Sequence, residues 1–217
     1  MNAEDIVRLG APGLQAVSIA ITAYFASRGL NAWRQQLAGK RRFELAEEIL
    51  VVTYKVQRSL AHVRQPLTFG GEGKLRPRDD HERESMAALK DNYFVPLERM
   101  KGLDDELAQF SKTRLFAQAH LGREAVAPFD IIMKAYHEVA VAARMLIMTA
   151  EERPRDVGLE LHQSLQATVW QTSVDDEIAR RVDDAVRAIE DLVRPWLEEP
   201  GRRRGSGLWQ RARKSPS

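Results

Sequence analysis

The residues able to hold a metal or move a proton are five histidines and thirty-one carboxylates, and their spacing assembles no site. In a helical protein the strongest metal signature is Glu-x-x-His on two helices, which sets a carboxylate and an imidazole on one face, one turn apart. Three residues before His62, His81, His120, His137 and His162 stand Ser59, Arg78, Ala117, Lys134 and Leu159, and none is an acid. There is no His-Glu-x-x-His. Gly122 separates His120 from Glu124, and Asp130 and His137 lie two turns apart, as many surface pairs do. With no cysteine in the chain, disulfides, thiolate nucleophiles and thiolate-bound zinc are excluded together.

Two further signals fail on pattern. The run Gly-Gly-Glu-Gly-Lys-Leu, residues 70–75, suggests a phosphate loop, which requires an earlier glycine where Thr68 stands and a hydroxyl where Leu75 stands. It reads instead as a flexible surface loop between Pro66 and Asp80. Ser206 lies in Gly-Ser-Gly with no strand before it, so it forms no nucleophile elbow. The acid runs Glu44, Glu47, Glu48 and Asp175, Asp176, Glu177 suit helix starts or solvated faces. No catalytic, cofactor-binding or metal-ligating residue is assigned.

What rises above background is basic. The tail Pro200–Ser217 carries Arg202, Arg203, Arg204, Arg211, Arg213 and Lys214 with no acid, and Trp209 between them. Six cations there, against a whole-chain charge of +2, leave the rest at about −4. A mildly acidic body argues against a general nucleic-acid binder. A second cluster is Lys40, Arg41 and Arg42. Near an anionic leaflet each cation contributes about 1 kcal/mol, and tryptophan settles at the interface. These ten residues are the expected lipid-headgroup contacts.

The membrane expectation starts at Leu9–Ser27, nineteen residues without a charge between Arg8 and Arg28. As a helix they span roughly 28 Å, close to the hydrocarbon thickness of a bilayer. Glu4 and Asp5 precede them; Arg28, Arg34, Lys40, Arg41 and Arg42 follow with no acid until Glu44. The positive-inside rule then places the remainder in the cytoplasm, giving a single-pass protein of the cytoplasmic membrane. Gln15, Ser18 and Thr22 form a polar stripe, with Ala16, Ala20 and Ala23 small beside it, so a homo-oligomer through that face is a further expectation.

The elements that would carry these features are helical. Leu45, Ile49, Val52, Val56, Leu60 and Val63 advance by threes and fours until Gln65-Pro66 ends the run. Met86, Leu89, Tyr93, Pro96, Met100, Leu103, Leu107 and Phe110 continue the spacing in a helix capped at Asp79 or Asp80, kinked or broken near Phe94 by Pro96 and stopped at Gly122. A third helix covers about 124–151, and a fourth carries Leu161, Leu165, Val169 and Trp170. A last one, capped by Thr172 or Ser173, carries Ile178, Val182, Ala185, Ile189, Leu192 and Trp196. Strand alternation and fixed-period repeats are absent. The expected fold is all-α: an N-terminal transmembrane helix, about 12–28 within a segment 1–29, then an antiparallel bundle of four to five helices over 30–199, then a disordered basic tail 200–217.

The run Ala32–Pro66, AWRQQLAGKRRFELAEEILVVTYKVQRSLAHVRQP, resembles a family of uncharacterised bacterial proteins with a short N-terminal membrane segment, a tryptophan-containing basic stretch and a helix ending in Arg-x-Pro. Ala167–Trp196, with Trp170, Asp175-Asp176-Glu177 and Ile189-Glu190, is similar to their C-terminal part. The resemblance implies location and fold and no activity. The functional expectation is a membrane-anchored helical protein whose cytoplasmic domain binds or organises another protein. The alternatives are an enzyme or sensor with a pocket inside the bundle, and a soluble protein whose basic tail associates with nucleic acid.

Overall fold

The computed structural model describes residues 3–78, 82–150, 158–172 and 176–198; the side chains of 3–21, 23, 31, 32 and 35 lie outside the description. Among the described residues there are six α-helices, one 3-10 helix and no strand. The helices are α1 (Ala3–Val63), α2 (Glu84–Lys101), α3 (Asp104–Leu121), α4 (Ala127–Met148), α5 (Leu159–Val169) and α6 (Glu177–Leu197), with the 3-10 turn Arg123–Val126 before α4. The all-α class is therefore observed. The chain divides into two compact units, Met1–Leu45 and Ala46–Ser217.

The second unit is a helical bundle around α4. That helix is the most apolar of the set, and it packs against α2, α5 and α6. Its alanines 135, 142 and 143 are buried and let neighbouring helices approach closely. One core cluster joins Tyr93 and Val95 of α2, Ala142, Ala143 and Leu146 of α4, and Leu165, Val169 and Trp170 from α5 and its end. Phe110 of α3 meets Phe129 of α4 with ring centroids 5.3 Å apart. The stripe from Ile49 to Val63 is buried at Ile49, Val52, Val56, Leu60 and Val63, as the spacing requires. Each such side chain contributes roughly 1.5–3 kcal/mol by leaving water. Tyr136 of α4 donates its hydroxyl to the Val56 carbonyl at 2.8 Å, and burial pushes its ionisation well above the usual phenol range.

Several boundaries differ from the sequence expectation, each for a local reason. Pro96 does not break its helix; α2 runs through it and ends at Lys101. The ladder bond that proline forgoes is the one to the Asn92 carbonyl, and Asn92 is exposed, so water can take its place. The break falls at Gly102-Leu103, where the Leu103 N–H closes a turn on Met100 at 3.0 Å. The expected long second helix is thus two, and the bundle has more helices than four or five. α2 begins at Glu84; Asp79 and Asp80 lie outside the described residues. Gly122 does end α3, with φ +94°. The last helix does not start at Thr172: α6 starts at Glu177, and Asp176 caps it, accepting from the Ala179 N–H at 2.8 Å. Ser173 lies outside the described residues.

The first unit is the outer part of α1. The helix is continuous from Ala3, with no division between an anchor at 12–28 and a later helix. No described side chain from Thr22 to Glu44 is buried. Tyr24, Phe25, Leu30, Trp33, Leu37 and Phe43 all stand in solvent beside Arg28, Arg34, Lys40, Arg41 and Arg42. Among the described residues no helix is long and apolar enough to cross a membrane. Most of Leu9–Ser27 falls where side chains are outside the description, and so do Gln15 and Ser18 of the expected self-association face; Thr22 is exposed.

Candidate functional site

The chain between α1 and α2 was expected to be a flexible surface loop; its described residues carry a network of hydrogen bonds and ion pairs. Arg99, near the C-terminal end of α2 and 4% exposed, reaches back beneath the loop. Its guanidinium donates to the carbonyls of His62 (3.0 Å), Gln65 (2.8 Å) and Leu67 (2.8 Å), and to both oxygens of Glu72 (3.1 and 2.7 Å). The His62 carbonyl, in the last turn of α1, also accepts from the Gln65 N–H at 3.2 Å, and the Gln65 carbonyl lies just past the helix end. Glu72 in turn accepts from the Phe69 N–H at 2.9 Å. Hydrogen bonding from Arg99 holds its carboxyl below the usual range, against a weaker opposing effect of burial.

The far side of the loop is fixed as firmly. Gly73 has φ +82°, and a Cβ there would sit 2.0 Å from the Asp91 carbonyl oxygen, so only glycine fits. Its N–H donates to Glu98 at 2.6 Å. Arg76 bonds Glu82 at 2.5 Å and Asp91 at 3.1 Å, Arg78 joins Asp91, and Lys90 reaches Glu82 at 3.0 Å. Arg76, Glu82 and Asp91 are nearly inaccessible to solvent. A shallow cleft of about 310 Å³ remains between the loop and α2, bordered by Phe69, Gly70, Lys74, Arg78 and Asn92.

A second polar cluster is built on Arg64, which lies between His62 and Gln65, the residues whose carbonyls Arg99 binds. Arg64 follows α1 directly and is 2% exposed. It pairs with both Asp176 oxygens at 2.7 and 2.8 Å, and donates to the carbonyls of Thr168 (3.0 Å) and Ala167 (2.9 Å) at the end of α5. The Arg64 carbonyl accepts from the Gln171 N–H at 2.9 Å. Burial alone would raise the Asp176 carboxyl, but Arg64 and the α6 N–H groups outweigh it and hold the group below its ordinary value. Beside this pair runs an open groove of about 470 Å³ between α1 and α6, floored by Leu60, Ile178 and Val182. Its rim is internally bonded: Gln57 donates to Asp183 at 2.7 Å, and Tyr54 donates to Glu190 at 2.8 Å. That last bond, with burial second, raises the Tyr54 phenol.

The residues singled out in the sequence are not brought together by the described structure. Lys40 and Arg41 are exposed on α1 and share Glu44 at 3.8 Å each; Arg42 is exposed nearby. Arg202, Arg203, Arg204, Trp209, Arg211, Arg213 and Lys214 lie outside the described residues. Asp130 is held by Arg114 at 2.6 Å, while His120 and His162 make edge contacts with Trp196 and Tyr93. Among the described residues no three histidines or acids converge as metal ligands. Sequence reasoning missed Arg64, Arg99 and Asp176, which read as ordinary cations and acids at helix ends.

Comparison with protein families, with curated proteins and with solved structures finds no match to this chain.

Proposed function

We propose that this is a membrane-tethered helical protein, held at the cytoplasmic face of a membrane through the outer part of α1, whose bundle binds another protein. The observation that carries the reading is the composition of a solvent-facing helix. From Tyr24 to Phe43, three aromatic rings and two leucines with about half or more of their surface in water stand among five cations, with no acid until Glu44. Water does not favour such a surface, since a lone helix gains its stability from an apolar face packed on something. An anionic headgroup layer suits both halves of it: rings and leucines at the interface, arginine and lysine on phosphate. The uncharged stretch Leu9–Ser27 before it, with acids on its outer side, supplies the anchor, and self-association through Gln15, Ser18 and Thr22 belongs to the same proposal.

The test is fractionation. The full chain should stay with membranes after an alkaline carbonate wash, and a chain lacking residues 1–30 should be released. A full chain recovered in the soluble fraction would reject the tether.

A further inference from the structure

A helix turns by about 100° per residue, so the exposed side chains of outer α1 sort by face. Leu30, Trp33 and Leu37, each about half in water, fall within roughly 60° of one another along one side. Arg34 and Arg41 border that stripe within roughly 40° on one edge, and Lys40 within roughly 20° on the other. All three cations are exposed. Tyr24, Phe25, Arg28 and Arg42 face elsewhere. The stripe ends at Glu44, on the same side two turns past Leu37 and the first acid after Asp5. Five cations therefore stand against one acid between Thr22 and Leu45. Glu44 reaches Lys40 and Arg41 only at 3.8 Å, with all three side chains well exposed, and pairs of that kind contribute little.

We propose that this stripe rests on the headgroup layer of a bilayer carrying net-negative phospholipid, with α1 leaning onto the surface past Ser27 instead of standing up from it. The proposal rests on reading outer α1 as the tether, and adds the face, the lipid and the lie of the helix. A helix standing along the bilayer normal carries Leu37 roughly 15 Å beyond Ser27, past a headgroup layer roughly 5–8 Å deep, and leaves the stripe in water. Leaning over, the same helix buries its tryptophan and leucines at the acyl boundary while the bordering cations reach back to phosphate. Charge chooses the occupant. A second copy paired along the stripe would set Arg34, Lys40 and Arg41 against like charges, which costs affinity. An uncharged bilayer leaves those cations without a counter-charge. Net-negative lipid answers both halves of the stripe. Glu44 marks where the helix leaves the surface, one residue before the first compact unit ends at Leu45.

The chain has no cysteine, so Leu37→Cys and Gly39→Cys each take a single environment-sensitive label. Gly39 lies roughly 160° around the helix from Leu37, with open space about it, so the two labels report opposite sides of one turn. With the full chain in phosphatidylglycerol vesicles, the label at 37 should shift to the blue and be quenched by spin-labelled lipid, while the label at 39 stays water-like. In phosphatidylcholine vesicles both should stay water-like. Arg34→Gln combined with Arg41→Gln should lower the adsorbed-to-free ratio read at 37 roughly thirtyfold, each cation counting for about fivefold. Labels at 37 and 39 that shift alike would overturn the proposal, and so would equal shifts in the two lipids. A shift at 37 without vesicles, growing with protein concentration, would overturn it in favour of a second copy. The fractionation that tests the tether can fail separately. A chain that survives the carbonate wash with residue 37 in water keeps the tether and loses this contact. One that washes off, yet shifts at 37 on added phosphatidylglycerol vesicles, keeps the contact and loses the anchor.

Discussion

Arg64 and Arg99 have similar chemistry and different consequences. Both are drawn inside the protein, both hold a carboxylate through two oxygens, and both donate to backbone carbonyls at or just past a helix end. Arg64 sits where three helices meet, with Val63, Val169 and Ile178 buried around it. Arg99 sits under a loop whose own large apolar side chains face water. An arginine among core side chains closes the fold, because water cannot replace it. One beneath a surface loop shapes the loop, because the carbonyls it releases rehydrate.

The largest effect should therefore come from Arg64→Ala, which leaves Asp176 buried without its charge partner. A loss of about 3–5 kcal/mol is expected, read as a lower midpoint in urea with an unchanged slope. A loss below about 1 kcal/mol, the range of exposed pairs, would remove the contrast between the two arginines. Next is Gly73→Ala, which demands a left-handed backbone and collides with the Asp91 carbonyl; a cost of about 1–3 kcal/mol is expected, with amide exchange speeding up across 69–76. Arg99→Ala should cost about 1 kcal/mol globally, while protection of the Phe69, Glu72 and Gly73 amides is lost. Unfolding of the whole bundle in that variant would make the two arginines equivalent.

The smallest effect is the pH dependence. Asp176 and Glu72 both have folded values below their unfolded ones, which lie near about 3.9 and 4.3. Their stabilisation is complete above those values and is lost as pH falls through the lower folded ones. Asp176→Asn should flatten the acid limb of global stability. Glu72→Gln should flatten only the acid loss of loop protection. Equal global effects from the two would blur the comparison.

Much of the fold was legible because helical burial is written at a spacing of three and four along contiguous chain. Ile49, Val56, Leu60 and Val63, or Ile178, Val182, Ala185 and Ile189, announce their faces without reference to anything distant. The end of α1 before Gln65-Pro66 and the stop of α3 at Gly122 were equally local. The capping of α6 was not. Thr172, Ser173, Asp175 and Asp176 are all competent caps by type. Arg64, 112 residues earlier in the chain, engages Asp176. The loop's bonding was hidden for the same reason: its glycines are those of a flexible segment, and the guanidinium that bonds Glu72 arrives from Arg99, 27 residues further on.

The sequence by itself determined an all-helical protein with an uncharged N-terminal stretch and a basic flank, since these are properties of composition and short-range period. Only the tertiary structure decided which charges are buried and which groups hold the loop 66–78. A charge is stable out of water only beside its opposite, and which charges meet depends on where the helix ends come together, which no local spacing encodes.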